Sequence, residues 1–252
     1  CKEHKAKGLE AGRKSMVLIK NNGSVPLDKS KMKNSAVIGP DADRQLVLKG
    51  NYYGTASKYI TFLEGIHNAV NEDTRVWFSE GCHLYKDRVE SLAKAGDRIS
   101  EAVSVAERSD VVILCLGLDS QIEGEEGDTG NSQAGGDKAD LNLPGLQNDL
   151  LKAVCETGKP VILVLATGSA MAIPYADEHC AAVLQAWYPG SRGGPAAAEL
   201  LFGCCPPSVK LPVTFYYDTS ELPEFPDYSM QCRTYRSMQN KAPYTFGCGF
   251  TF

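Results

Sequence analysis

Val111-Val112-Ile113-Leu114-Cys115-Leu116-Gly117-Leu118 runs without a single polar side chain. A strand with one wet face alternates apolar and polar residues, whereas a short, β-branched-rich run without alternation reads as a strand covered on both faces. Val161-Ile162-Leu163-Val164-Leu165-Ala166 repeats the pattern. Both runs fall far short of the roughly 20 residues needed to span a bilayer. They are the central strands of a parallel sheet held between two helical layers. Just beyond the first run comes Ile122-Glu123-Gly124-Glu125-Glu126-Gly127-Asp128, which puts acids where a strand should end. In an open α/β sheet the crevice outside the carboxyl ends of the strands is where ligands bind.

Working outward, shorter apolar runs occur at 16–19, 36–38, 76–78, 182–186 and 213–215. Helical periodicity lies between them. Leu92, Ile99, Val103 and Ala106 share a face over 91–109, and Leu146, Leu150, Ala153 and Val154 do so before Gly158. A helix is expected over about 194–202, ended by Pro206-Pro207, and the N-terminus is amphipathic and helix-like. Leu211-Pro212-Val213-Thr214-Phe215 reads as an edge or late strand, and 216–252, rich in aromatics and prolines, as an ordered tail packed on the domain. The alternation of strand and helix predicts an α/β fold: a single domain over 1–252, built as a three-layer sandwich with a mainly parallel sheet of roughly six strands and helices on both faces.

The chain of 252 residues carries 26 Lys and Arg against 31 Asp and Glu, a formal charge of −5. That balance, with no basic stripe, argues against nucleic-acid or anionic-membrane partners. Nine cysteines are an odd number, and Cys115, Cys155 and Cys180 fall in core-like contexts, so buried free thiols fit better than a disulfide framework. The pattern favours a reducing cytoplasm, or the periplasm of an anaerobe. Cys204-Cys205 and Cys232 lack CxxC spacing and His4, His67, His83 and His179 are scattered, so no metal site is expected. No cofactor is expected either, because GxGxxG and GxxxxGK[ST] are both absent.

Two further motifs invite chemistry. Pro189-Gly190-Ser191-Arg192-Gly193-Gly194 is either a tight strand-to-helix turn or a set of helix N-terminal amides open to an anion. Ser169 and Ser191 lack the flanking glycines of a nucleophile elbow. The acidic loop 123–128 has three readings: a solvated connection, an oxygen-ligand cation site without EF-hand spacing, or a source of acid/base chemistry. It belongs to a long segment, 119–141, poor in apolar residues and dotted with glycines. Loops of this length in compact domains are usually functional or disordered, and a mobile loop delivering an acid to a separate surface satisfies both descriptions.

The motifs now fall into a familiar order. Ser15-Met16-Val17-Leu18-Ile19-Lys20-Asn21-Asn22-Gly23 with Val25-Pro26-Leu27 resembles the opening of the C-terminal domain of glycoside hydrolase family 3 enzymes. Val37-Ile38-Gly39-Pro40, Gly50-Asn51-Tyr52, Leu143-Pro144-Gly145-Leu146-Gln147, Lys159-Pro160-Val161 and Trp187-Tyr188-Pro189-Gly190 with Gly193-Gly194 follow in the family's order. Leu211-Pro212-Val213-Thr214-Phe215, Arg233-Thr234-Tyr235-Arg236 and Phe246-Gly247-Cys248-Gly249 complete it. Glu123-Gly124-Glu125-Glu126 and Asp227-Tyr228-Ser229-Met230 look most like the β-xylosidase and related β-glucosidase branch. Cys248 stands where the family usually has tyrosine, Lys138 where it has arginine, and Pro207-Ser208-Val209-Lys210 replaces a common Asn-Pro-Ser-Gly-Arg.

The resemblance implies a retaining exo-acting β-glycosidase whose aspartate nucleophile belongs to a preceding (β/α)8 barrel and whose glutamate acid/base comes from this domain. Glu125 aligns best with the second acid of the family's E-x-E pattern, with Glu123 and Glu126 in reserve because the following insertion allows a register shift. The implied partners are that barrel, absent from this sequence, and an oligosaccharide or glycoside substrate; the chain by itself is expected to be inactive. The alternative is a non-catalytic carbohydrate-binding or structural α/β module, and a weaker one a flavodoxin-like nucleotide-binding domain.

Overall fold

The computed structural model describes residues 1–123, 138, 140–224, 226–229, 231, 233–238 and 241–252. Its centre is a sheet of strands β1 (Val17–Asn21), β2 (Asn34–Ile38), β3 (Arg75–Ser79), β4 (Val111–Gly117), β5 (Val161–Ala166) and β6 (Ala182–Gln185). The spatial order is β1-β6-β5-β4-β2-β3. Strands β3, β2, β4, β5 and β6 are parallel, and β1 closes the edge antiparallel to β6. Strands β4 and β5 sit in the middle, paired from Val112↔Val161 to Gly117↔Ala166, with every residue of both buried.

Helices α1 (Lys2–Arg13), α2 (Phe62–Ala69), α3 (Asp97–Glu107), α4 (Gln147–Cys155), α5 (Pro174–His179) and α6 (Gly193–Leu201) cover the two faces. Alternate residues of the central strands feed different cores, as the period of two requires. Val112, Leu114 and Leu116 join Ala102, Ala106, Leu150 and Val154 beneath α3 and α4. Val111, Ile113 and Cys115 join Phe62, Ile66, Ala197 and Leu201 beneath α2 and α6. The result is the expected three-layer α/β sandwich.

The second core depends on small residues. A Cβ on Gly194 would lie 1.9 Å from the Thr61 carbonyl oxygen, and one on Gly65 would lie 2.2 Å from the Gly194 carbonyl carbon. Backbone therefore meets backbone where α2 crosses α6. The glycine-rich 189–194 segment is accordingly a packing turn, the first of its two readings.

Two sequence expectations need correction, and two helices were not anticipated. The run 213–215 is not a strand of the sheet: Phe215 makes one isolated bridge, to Tyr244. Pro212 cannot donate to a ladder, and the backbone bonds of this stretch go to its own tail, with Leu211 N–H donating to the Cys248 carbonyl at 2.8 Å and Phe215 N–H to Tyr244 at 2.8 Å. The pattern over 91–109 is helical only from Asp97, because Gly96 at φ 71° caps it, and Leu92 is 99 % exposed. Helix α2 carries a capping-box sequence, Thr61-Phe62-Leu63-Glu64, in which the Thr61 hydroxyl accepts from Glu64 N–H at 3.2 Å. It and the six-residue α5 are too short to stand out by periodicity.

Described residues of the tail tie it back to the sandwich. Phe215 stacks edge-on against Trp187 and Tyr244, at centroid distances of 6.3 and 6.1 Å. Tyr244 donates its hydroxyl to Asp177 Oδ1 at 2.7 Å. Among the described residues no helix is long and apolar enough to cross a membrane.

Candidate active site

The parallel strands release four segments on one side of the sheet. Strand β2 leads to Asp41, β4 to Asp119, β5 to Gly168 and Ser169, and β6 to Trp187 and Tyr188. The β4 exit is shaped by Gly117, whose φ of 144° suits glycine and whose Cβ would lie 1.9 Å from the Ala166 carbonyl oxygen. Gln147, the last residue of the Leu143-Pro144-Gly145-Leu146-Gln147 motif, is fully buried and pins that exit. It accepts from Gly117 N–H at 2.8 Å and donates to the carbonyls of Gly117 at 2.9 Å and Leu84 at 2.7 Å. A buried amide with its bonds so satisfied locks the end of the central strand in place.

Asp119 then fixes the start of the acidic loop. Its Oδ1 accepts from the N–H groups of Gln121 at 2.9 Å and Ile122 at 3.2 Å, an Asx turn. Its Oδ2 takes Nε and Nη2 of Arg44 at 3.0 and 2.7 Å. The Asp119 side chain is 1 % exposed and that of Arg44 34 %, so the acid is buried but its charge is compensated.

Glu123 is the best-defined acid of the loop. Gly168 N–H donates to its Oε2 at 2.9 Å, the Tyr188 hydroxyl donates to the same oxygen, and the Ser169 hydroxyl donates to Oε1. Asn51 Nδ2 donates to the Glu123 carbonyl at 3.2 Å. A Cβ on Gly168 would sit 2.8 Å from both Glu123 Oε2 and Tyr188 Cε2, so only glycine leaves room for this clamp. Tyr188 reaches it because Trp187 takes a left-handed backbone, φ 56°, unusual for a bulky side chain. Burial, followed by the Glu123 charge, drives the Tyr188 phenol well above its ordinary value, keeping it a donor. Burial lowers the Lys138 ammonium, which Glu123 and Asp140 partly offset, and its Nζ lies 3.0 Å from Met171 Sδ. The lysine that replaces the family's arginine thus lies within electrostatic reach of Glu123.

Below the clamp, Asp41 is wholly buried, and neither of its carboxyl oxygens has a hydrogen-bond partner among the described residues. Burial pushes this carboxyl far above the usual carboxylate range, Asp119 adds to the shift and Arg44 opposes it. A neutral acid is the form such a site tolerates.

Of Glu125, the expected acid/base, and its reserves Glu123 and Glu126, only Glu123 is described, and it is part of a bonded cluster with Gly168, Ser169, Tyr188 and Asn51. Glu125 and Glu126 lie outside the described residues, as does the expected mobility of their loop. Sequence reasoning missed Asp41, Arg44, Asp119, Gly168 and Ser169. Their signal was positional, since each except Arg44 follows an apolar run at its carboxyl end. Among the described residues no three His, Cys, Asp or Glu side chains gather as a metal site would require.

The clamped Glu123 carboxylate lies at the carboxyl ends of the parallel strands, the side on which open α/β sheets place their ligand crevices. A sequence profile described as "Glycosyl hydrolase family 3 C-terminal domain" matches residues 16–252, and the chain belongs to that family. It is 36 % identical over 262 aligned residues to a β-xylosidase of Formosa agariphila, covering 99 % of this chain and 34 % of that protein. It is 33 % identical to a periplasmic β-glucosidase of Salmonella typhimurium, covering 88 % of this chain and 30 % of that protein. The solved structure of a family 3 exo-β-xylosidase, in complex with a xylobiose aziridine activity-based probe, superposes with a TM-score of 0.85 at 26 % identity, over 99 % of this chain and 31 % of that one. The chain thus spans about a third of the length of these relatives.

Proposed function

We propose that this chain is the acid/base-bearing domain of a retaining exo-acting β-glycosidase, of β-xylosidase or β-glucosidase type, that removes terminal non-reducing sugars from plant-derived oligosaccharides. The observation that carries the reading is the Glu123 clamp. Three donors from the ends of β5 and β6 hold the carboxylate two residues ahead of Glu125, so the loop leaves the sheet from a fixed point. Glu123 is occupied as an acceptor and acts as a positioning residue. Glu125 is then the acid/base, with Glu126 in reserve.

Retaining hydrolysis uses two carboxyl groups roughly 5 to 5.5 Å apart, one attacking the anomeric carbon while the other protonates the leaving oxygen and afterwards takes a proton from water. Glu125 performs the second task. The first belongs to an aspartate of a preceding (β/α)8 barrel, the partner domain in the parent polypeptide. Neither step proceeds on this chain alone, so the isolated chain has no glycosidase activity.

The test joins the chain to a family (β/α)8 barrel and assays aryl β-xylosides and β-glucosides against the barrel and the chain separately. Activity only in the joined protein supports the reading. An isolated chain that binds xylose or short oligosaccharides tightly, with no gain in hydrolysis on joining, favours a non-catalytic carbohydrate-binding module.

A further inference from the structure

Away from the candidate active site, Cys155 and Cys180 face one another. Cys155 is the last residue of α4 and Cys180 caps α5 in an extended conformation. Their Sγ atoms are 4.0 Å apart, in thiol–thiol contact. Cys180 is 2 % exposed, whereas Cys155 is partly open to solvent. Lys20, reaching across from β1, donates its ammonium to the carbonyl oxygens of Ala176 and Asp177 in α5, the helix that Cys180 follows. The eight described cysteines are otherwise free, and among the described residues no other two are in thiol contact.

We propose that Cys155 and Cys180 form a reversible disulfide under peroxide, a modification site that links the end of α4 to the end of α5. A disulfide requires the sulfurs to close from 4.0 Å to about 2.05 Å, a short movement between the end of α4 and the residue after α5. The electrostatics assign different roles to the two sulfurs. The hydrogen bond shared with Cys180, and then the Lys20 ammonium, lower the Cys155 thiol against the opposing effects of burial and Glu156. The hydrogen bond and burial raise Cys180. Cys155, the more exposed and more acidic thiol, is the one that meets the oxidant.

The chemistry closes on two thiols and one hydrogen peroxide. The Cys155 thiolate attacks a peroxide oxygen; an S–O bond forms, the O–O bond breaks, and hydroxide leaves and is protonated to water. Cys155 is now a sulfenic acid. Cys180 loses its proton as its sulfur attacks Cys155; the S–S bond forms, the S–O bond breaks, and a second water leaves. A dithiol reductant reverses the oxidation.

The experiment treats the full chain with hydrogen peroxide, blocks remaining thiols with iodoacetamide and maps the digest by mass spectrometry. The expected result is a peptide pair joined through Cys155 and Cys180, lighter by two hydrogens and released by dithiothreitol, with Cys115 still alkylated only after unfolding. Cys180→Ser should abolish the linked pair and leave Cys155 trapped by dimedone as its sulfenic acid. A linked pair in the wild type that is lost in Cys180→Ser upholds the proposal. A wild type in which Cys155 stays reduced, or is oxidised without linking to Cys180, overturns it whether or not the variant folds.

Discussion

Removal of the Glu123 carboxylate offers a direct test of the clamp. In Glu123→Ala the Gly168 N–H, Ser169 hydroxyl and Tyr188 hydroxyl all lose their acceptor. A hydrogen bond to a charged group contributes about 1.5–3 kcal/mol, but Gly168 and the outer side of the cluster can take up water, and Ser169 can rotate to solvent. Tyr188 cannot do so as easily, because its hydroxyl is held in a largely buried place. The net loss should therefore be about 2–4 kcal/mol. For a chain of this size each kcal/mol moves Tm by about 2–4 °C, so thermal unfolding followed by circular dichroism should show a fall of about 4–16 °C. Glu123→Gln keeps an acceptor for two of the donors and should lose roughly a third as much. Pairing Glu123→Ala with Tyr188→Phe should give a coupling energy of about 1–2 kcal/mol. A Tm for Glu123→Ala within a degree of wild type, or strict additivity with Tyr188→Phe, would refute the clamp.

Three further outcomes follow from the same geometry. Gly194→Ala should destabilise the domain by about 1–3 kcal/mol or more, because its Cβ would meet the Thr61 carbonyl oxygen at 1.9 Å and backbone must move to admit it; denaturant titration would measure this. Asp119→Ala removes the acceptor of Arg44 and of two backbone N–H groups and should cost about 2–4 kcal/mol, toward the lower end because Arg44 is 34 % exposed. Asp41 binds its proton more firmly folded than unfolded, so its contribution to stability is complete below its ordinary value of 3.8 and is lost as pH rises toward the higher folded value. Asp41→Asn, which cannot ionise, should therefore gain stability relative to wild type as pH rises above 3.8, by at most about 1.4 kcal/mol per pH unit. A difference that stays flat with pH would show that Asp41 does not titrate as described.

The layers of the fold were legible because burial on both faces leaves a mark in one strand: Val111 to Leu116 and Val161 to Leu165 contain no polar residue, as a strand covered on both faces requires. Helix α2 was not legible by period, since eight residues give barely two turns, although its Thr61 and Glu64 capping pair was present. The segment 213–215 misled because β-branched residues suit a strand, while what decided its pairing was the missing N–H of Pro212 and the partner at Tyr244. The site was half legible. Glu123, Asn51 and Tyr188 lay in motifs already singled out, yet nothing local indicates that a tyrosine 65 residues later and a glycine 45 residues later converge on Glu123. That convergence is a product of the strand order. Ser169, set aside as a nucleophile, has its place as a donor to Glu123.

The central claim is that the acidic loop supplies the acid/base from Glu125. The most direct measurement compares Glu125→Gln with wild type, both joined to the barrel, on aryl glycosides with poor and activated leaving groups, with and without azide. The expected result is a loss of about 10²–10⁴-fold on the poor leaving group, a smaller loss on the activated one, and recovery of turnover by azide as a β-glycosyl azide. A wild-type rate on the poor leaving group would contradict the claim.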